Sequence, residues 1–165
     1  MKTPQHVEIR LIKAEDDMAI KRIIEQVGRE FGAIGEGFGP SDAEVSSMSQ
    51  HYSELSGYAY YVATVEGQVV GGAGIAPMDA VTQTCELRKL FVLPNARGLS
   101  IGRKLSEACI EFAKSANYQQ CYLDTLSSMQ AAIALYKKLG FTQLKAPLAA
   151  SEHNGCDVWM LKDLL

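Results

Sequence analysis

Residues 85–116, CELRKLFVLPNARGLSIGRKLSEACIEFAKSA, constrain this chain more than any other stretch. They read as a strand over 85–92, stopped by Pro94 and Asn95, then a basic, glycine-bearing turn over 95–100, then a long amphipathic helix. The helix shows in Ile101, Leu105, Ala108, Cys109 and Phe112, whose spacing keeps one face of a 3.6-residue period apolar. The first N–H groups of such a helix have no helical partner, and the macrodipole adds partial positive charge to them. A glycine-bearing turn that feeds them makes an anion site. Gly98 and Gly102 admit a ligand close to the backbone, and Arg97, Arg103 and Lys104 add full charges nearby. The simplest occupant is a phosphate or a diphosphate. The common phosphate signatures do not account for it. A Walker loop needs GxxxxGK followed by Ser or Thr, and a dinucleotide fingerprint needs GxGxxG; neither is present, which also argues against a nucleotide hydrolase.

The rest of the chain reads as alternating short elements. Val7, Ile9 and Leu11 alternate with charged residues in a strand over 7–13. Glu15, Asp16 and Asp17 open a helix whose buried face is Ile20, Ile23, Ile24, Val27 and Phe31. A loop with Gly32, Gly35, Gly37 and Gly39 ends at Pro40. Ser41 and Glu44 then form a capping box for a second helix carrying Val45, Met48, Tyr52 and Leu55. A hairpin follows, with strands over 58–65 and 68–76 joined by Glu66-Gly67 and ended by Pro77. Gly71, Gly72 and Gly74 inside its second strand imply a bulge or the close approach of something else. After the central helix come a strand over 121–126 and a helix capped by Ser127 or Ser128, with Met129, Ala132, Ile133, Tyr136 and Leu139 on one side and Gly140 at its end. Strands over 141–144 and 156–162 close the chain. The order β-α-α-β-β-β-α-β-α-β-β is an α/β or α+β arrangement.

With 165 residues, 47% hydrophobic and 21% charged, the chain is expected to form one domain over residues 1–165 with its own core. A net charge of −3 without a polybasic block argues against a nucleic-acid partner. The apolar run over 69–78 is shorter than the roughly 20 residues of a membrane span, so no membrane partner is expected. Cys85, Cys109, Cys121 and Cys156 lie far apart with no CxxC, and read as thiols of a reducing cytoplasm. The three histidines show no zinc spacing, and no metal is expected.

Two segments carry a family resemblance. Arg97-Gly98-Leu99-Ser100-Ile101-Gly102 is similar to the R-G-x-G-I-G acyl-CoA loop of the GCN5-related N-acetyltransferases, with Ser100 in place of the middle glycine. Serine can cap the helix and still present its N–H there. Leu135-Tyr136-Lys137-Lys138-Leu139-Gly140-Phe141 resembles the LYxxxGF segment of the same family. The resemblance implies a mixed, largely antiparallel seven-stranded sheet with helices on both faces, acetyl-CoA as co-substrate, and an N-acyltransferase that is compatible with a homodimer.

The same resemblance assigns candidate roles. The loop from Arg97 through Gly98, Leu99, Ser100, Ile101, Gly102, Arg103 and Lys104 would hold the phosphates. Backbone groups of Leu90, Phe91 and Val92 would meet the pantetheine amides, with an N–H near Leu90 facing the charge that develops on the acyl oxygen. Tyr136 would protonate the departing thiolate, since a phenol is neutral at pH 7 and can donate; its plain alternative is an amphipathic core tyrosine. Glu86 would take the proton of the incoming ammonium; its plain alternative is a surface residue paired with Arg88 or Lys89. A period-two strand puts Glu86, Arg88 and Leu90 on one face, away from Lys89. The family often has asparagine where this chain has Met129, so that contact is not carried over. His153, Cys156 and Asp157 raise a nucleophile reading against which Cys156 stands as an ordinary strand residue. Phe31, Glu36 and Phe38 in the glycine loop would face a small amine acceptor, or else belong to a surface loop without contact. A non-catalytic acyl-CoA-binding domain and a protein or peptide N-acetyltransferase are the other functions open at this point.

Overall fold

The computed structural model describes residues 5–32, 42–53, 56–149 and 155–165. Ser41, Leu55, His153 and most of the glycine loop, with Glu36 and Phe38, lie outside them. Among the described residues seven strands form one sheet in the order β1-β2-β3-β4-β5-β7-β6. They are β1 Val7–Leu11, β2 Ala59–Val65, β3 Gln68–Asp79, β4 Thr84–Val92, β5 Gln120–Thr125, β6 Thr142–Leu144 and β7 Val158–Asp163. Only β4 and β5 are parallel. The helices are α1 Asp17–Glu30, the short α2 Met48–His51, α3 Ile101–Ser115 and α4 Gln130–Lys138. Helices cover both faces, as the resemblance implies.

Each face has its own apolar cluster, built from the periodicity visible in the sequence. Ile20, Ile24 and Val27 of α1 meet Val45, Met48, Tyr60, Val62 and Phe91 on one face. Leu105, Cys109 and Phe112 of α3 meet Cys85, Leu87, Ile133 and Tyr136 on the other.

Four local expectations change. β3 runs through Pro77 to Asp79 instead of ending at Pro77. Its pairing with β2 stops at Ala59↔Ile75, so Pro77 is paired on one side only, with Cys85 of β4. The turn at Ala43–Ser47 is a 3-10 helix with Asp42 as its N-cap, and the Glu44 carboxylate accepts from Lys89 and Tyr52. Ser127 and Ser128 do not cap α4, whose N-cap is Met129. Ser127 bonds Asp157 through both its N–H and its hydroxyl, each at 2.8 Å, and Ser128 donates to the Phe31 carbonyl at 3.0 Å. The strand over 7–13 is shorter than expected and stops at Leu11.

The topology opens the sheet at one place. β4 and β5 pair over only Thr84↔Gln120, Cys85↔Cys121 and Glu86↔Tyr122. Beyond that, β4 continues along β3 to Val92, while β5 continues along β7 to Thr125. Two parallel strands held by different neighbours diverge, and the sheet forks.

Candidate active site

At the open end of the fork lies a cleft of about 560 Å3. The end of β4 lines it with Leu90, Phe91 and Val92; the turn and first residues of α3 with Arg97, Gly98, Ser100, Ile101, Gly102 and Arg103. The structure therefore brings together all the loop residues expected from the sequence except two. Leu99 lines a separate depression beside Val65 and Val70, and Lys104 is exposed outside the cleft.

The first intrahelical bond of α3 runs from the Lys104 N–H to the Ser100 carbonyl at 3.0 Å. The N–H groups of Ile101, Gly102 and Arg103 precede it and end at the cleft, where the helix dipole favours negative charge. Gly98 has φ +92, a conformation that favours glycine. Gly102 has no such demand, and a Cβ there would meet Leu135 Cδ2 at an ordinary 3.5 Å. Ser100 corrects the sequence reading. It occupies the N-cap position but makes no side-chain cap bond, and it adopts a left-handed conformation at φ +61. The family's glycine suits that conformation, and serine costs about 1 kcal/mol there.

Arg97 does not point a free charge into the cleft. Both terminal nitrogens of its guanidinium donate to Glu30 at 2.6 and 2.9 Å, its Nε donates to the Val92 carbonyl at 3.1 Å, and it sits 5.3 Å over the Phe31 ring. Arg97 thus ties the end of α1 to the turn before α3, and its hydrogen bonds hold the Glu30 carboxyl below the usual carboxylate range. Phe31, expected on the acceptor side, lines this cleft instead.

β4 carries a bulge that the sequence does not announce. Lys89 and Leu90 together oppose Ala73 of β3, and Lys89 has φ +52. One extra residue reverses the alternation beyond it. Leu90 consequently packs with the α3 cluster, and Lys89 turns to the side of Glu86 and Arg88, the opposite of the period-two expectation. The Lys89 ammonium is buried between Asp42, at 2.9 Å, and Glu44. Burial pushes the Glu44 carboxyl upward, but the charge and hydrogen bond of Lys89 and the Tyr52 hydroxyl outweigh it and leave it lowered.

Glu86 is 3% exposed and accepts from Arg88 Nε at 2.5 Å. Its partner is therefore Arg88, as one plain alternative expected, but it is buried and not on the surface. Tyr136 lies across the sheet from it, in the α3 cluster, with its ring 5.8 Å from Phe141 in an edge-on arrangement. The hydroxyl makes no hydrogen bond among the described residues. Burial, then Cys109 and Cys121, pushes its pKa up, so the phenol is neutral at pH 7. Neither Tyr136 nor Glu86 lines the cleft. Its far wall is α4, through Met129, Ala131, Ala132, Leu135 and Lys138, and α1 adds Val27. Sequence reading missed these. Lys138 follows Tyr136 by two positions in the LYxxxGF-like segment, which was the available signal.

Among the described residues, Cys156 and Asp157 do not form the nucleophile site that the sequence raised. Burial, and then the neighbouring Asp124, pushes the Cys156 thiol up and away from the thiolate a nucleophile needs. Asp157 is occupied by Ser127. Cys85, Cys109 and Cys121 are buried free thiols, as expected. Among the described residues no group of His, Cys, Asp or Glu is placed to hold a metal ion, and no helix is long and apolar enough to cross a membrane. The cleft is an apolar groove with cations at its rim and uncommitted N–H groups at one end. That donor set suits a ligand with an anionic head and a long, mostly uncharged body.

Comparison with known proteins agrees with this geometry. Residues 25–141 match the family described as the acetyltransferase (GNAT) family. The uncharacterized N-acetyltransferase YjgM of Escherichia coli is 38% identical over 98% of this chain and 97% of its own. A GNAT-family acetyltransferase of Staphylococcus aureus superposes with a TM-score of 0.82 over 97% of this chain and all of its own, at 23% identity. YncA of Salmonella typhimurium, whose structure holds its cofactor acetyl-CoA, superposes with a TM-score of 0.77 over 97% of this chain and 95% of its own, also at 23% identity.

Proposed function

The chain belongs to the GNAT acetyltransferase family, and from that premise we propose that it moves the acetyl group of acetyl-CoA to the amine of a small acceptor by direct attack. Acetyl-CoA supplies an acyl group already activated as a thioester. The fork between β4 and β5, opening beside the uncommitted N-terminus of α3, carries this reading. The N–H groups of Ile101, Gly102 and Arg103, with the turn at Gly98 and Ser100, would hold the diphosphate. Arg97 and Lys138 would neutralise it from the rim. Backbone groups of Leu90, Phe91 and Val92 would take the pantetheine amides, and the apolar side chains around them would exclude water.

The proton steps would fall to residues on opposite faces of the sheet. Glu86 would take the ammonium proton of the acceptor, directly or through water, because only a neutral amine attacks. Tyr136 would give its proton to the departing thiolate. Its burial keeps it protonated, and its hydroxyl is uncommitted among the described residues. The acidic balance of the chain, −3 overall, supports a cationic acceptor over a polyanion.

Release of CoA thiol is measured with a panel of free amino acids, polyamines, aminoglycosides and peptide N-termini. A small amine should turn over, and acetylation of peptides alone would refute the small acceptor. With the best substrate, Tyr136→Phe should lower kcat by roughly 10²–10⁴ with CoA affinity little changed. Glu86→Gln should remove the acidic limb of the kcat/KM profile. A near-normal rate in either variant returns that residue to a structural role.

A further inference from the structure

The bulge in β4 is held by groups that do not themselves line the cleft. A left-handed residue at the first position of such a bulge favours glycine, because a Cβ there costs about 1 kcal/mol. Lys89 occupies it at φ +52, so other groups must hold it. Tyr60 of β2 is one of them. It is 1% exposed, and its hydroxyl donates to the Lys89 carbonyl at 2.9 Å. Its ring lies across β3 on ground that Gly72 and Gly74 leave bare: a Cβ at either would come within 2.5 or 2.6 Å of the ring. Gly72 and Gly74 thus have their reason in a tyrosine that must cross the strand to reach β4, whereas a Cβ at Gly71 would meet the Phe91 carbonyl at 2.7 Å. The Lys89 ammonium, clamped by Asp42 and Glu44, fixes the same residue by its other end.

The consequence falls on the next amide. The 89–90 peptide is trans, so its carbonyl and its N–H point in opposite directions. A carbonyl fixed toward Tyr60 fixes the Leu90 N–H away from it, while Leu90 itself lines the cleft. Neither Tyr60 nor Lys89 lines that cleft. We propose that Tyr60 is a positioning residue for acetyl transfer: acting through the Lys89 carbonyl, it aims the Leu90 N–H at the acyl oxygen. The role rests on the acetyl-transfer reading above, and concerns a residue that touches neither substrate.

Tyr60→Phe keeps the ring and deletes only the donor. Tyr118→Phe is the matched control, since the Tyr118 hydroxyl also donates to a backbone carbonyl, that of Gly57 at 2.8 Å, and not to that of Lys89. In the protein without ligand, the Leu90 amide resonance should move in Tyr60→Phe and stay in Tyr118→Phe. With acetyl-CoA bound, the thioester carbonyl stretch should rise in frequency as the donor is lost. The kcat should fall about 10- to 100-fold while the CoA dissociation constant stays within about twofold. Gly72→Ala, which pushes the ring without deleting the hydroxyl, should reproduce these changes. The proposal is overturned if the Leu90 resonance and the carbonyl stretch are unmoved and kcat is normal in both variants. It is equally overturned if CoA affinity falls in step with kcat, which would make Tyr60 a mere support of the cleft. A wild-type protein that binds acetyl-CoA but acetylates no amine would instead overturn the functional reading, and the Leu90 resonance would still decide the role of Tyr60.

Discussion

Glu30→Gln should weaken the fold and tighten acetyl-CoA binding at once. Arg97, which lines the cleft, is held by Glu30 in a two-pronged ion pair at 2.6 and 2.9 Å. A phosphate that recruits Arg97 must first separate this pair. Both side chains are 36% exposed, so solvent screens the pair, and its worth is up to about 1 kcal/mol. Glu30 is also the last residue of α1, where a carboxylate opposes the helix dipole, which trims the net loss. Removing the charge should thus lower Tm by up to roughly 4 °C. The same energy need no longer be given up when ligand binds, so affinity should rise by up to about fivefold. The effect should shrink in 0.5 M salt, where the screening length falls to about 4 Å. It should also fade in acid. The folded pKa of Glu30 lies below its unfolded value, so its contribution is present above about pH 4.5 and lost as pH falls through the folded value. Titration calorimetry with acetyl-CoA at low salt, beside thermal unfolding, measures both quantities. Simple structural damage would lower both, so a variant that is less stable and binds no better refutes the competition between Glu30 and the cofactor.

Gly102→Glu should fold, because its Cβ has room beside Leu135, but it puts a carboxylate at the helix N-terminus and should cost at least about 100-fold in acetyl-CoA affinity by calorimetry. Unchanged binding would move the phosphate site elsewhere. Ser100→Gly should relieve the left-handed conformation; offset by the greater unfolded-chain entropy of glycine, the gain is up to about 1 kcal/mol, or a rise of roughly 2–4 °C in Tm. A fall in Tm would show that the serine side chain supports the turn. Acid should destabilise the protein through Asp16 as well. Burial pushes its carboxyl up, but Arg10, at 2.7 and 3.0 Å, and the Lys13 N–H hold it below its ordinary value, so its contribution is lost as pH falls below about 4. The urea midpoint should hold steady from pH 8 to about pH 5 and then drop, and Asp16→Asn should flatten part of that drop.

The anion loop was legible because everything it needs is local. Gly98 supplies the turn, the 3.6-residue period of Ile101, Leu105, Cys109 and Phe112 supplies the helix, and unpaired N–H groups come with any helix start. The strands, their succession along the chain and the two apolar helix faces followed from the same short-range periodicities, and the expectation of a seven-stranded sheet from two motifs. The glycines of β3 were legible as an anomaly, but not their cause. Tyr60 and Lys89 lie 29 residues apart in sequence, and a lysine in a left-handed bulge leaves no compositional trace. That bulge reversed the faces of Lys89 and Leu90, because in a strand one inserted residue exchanges every side chain beyond it. The partners of Arg97 and Glu44 were equally hidden: Glu30 is 67 residues from one, and Lys89 is 45 residues from the other. Above all, the fork exists because the last strand of the chain pairs with β5 and takes it away from β4. Nearest neighbours in sequence decide backbone conformation and which side of an element is apolar. Which distant groups then meet, and where a sheet parts, depends on the order in which strands line up, and only the folded chain sets that order.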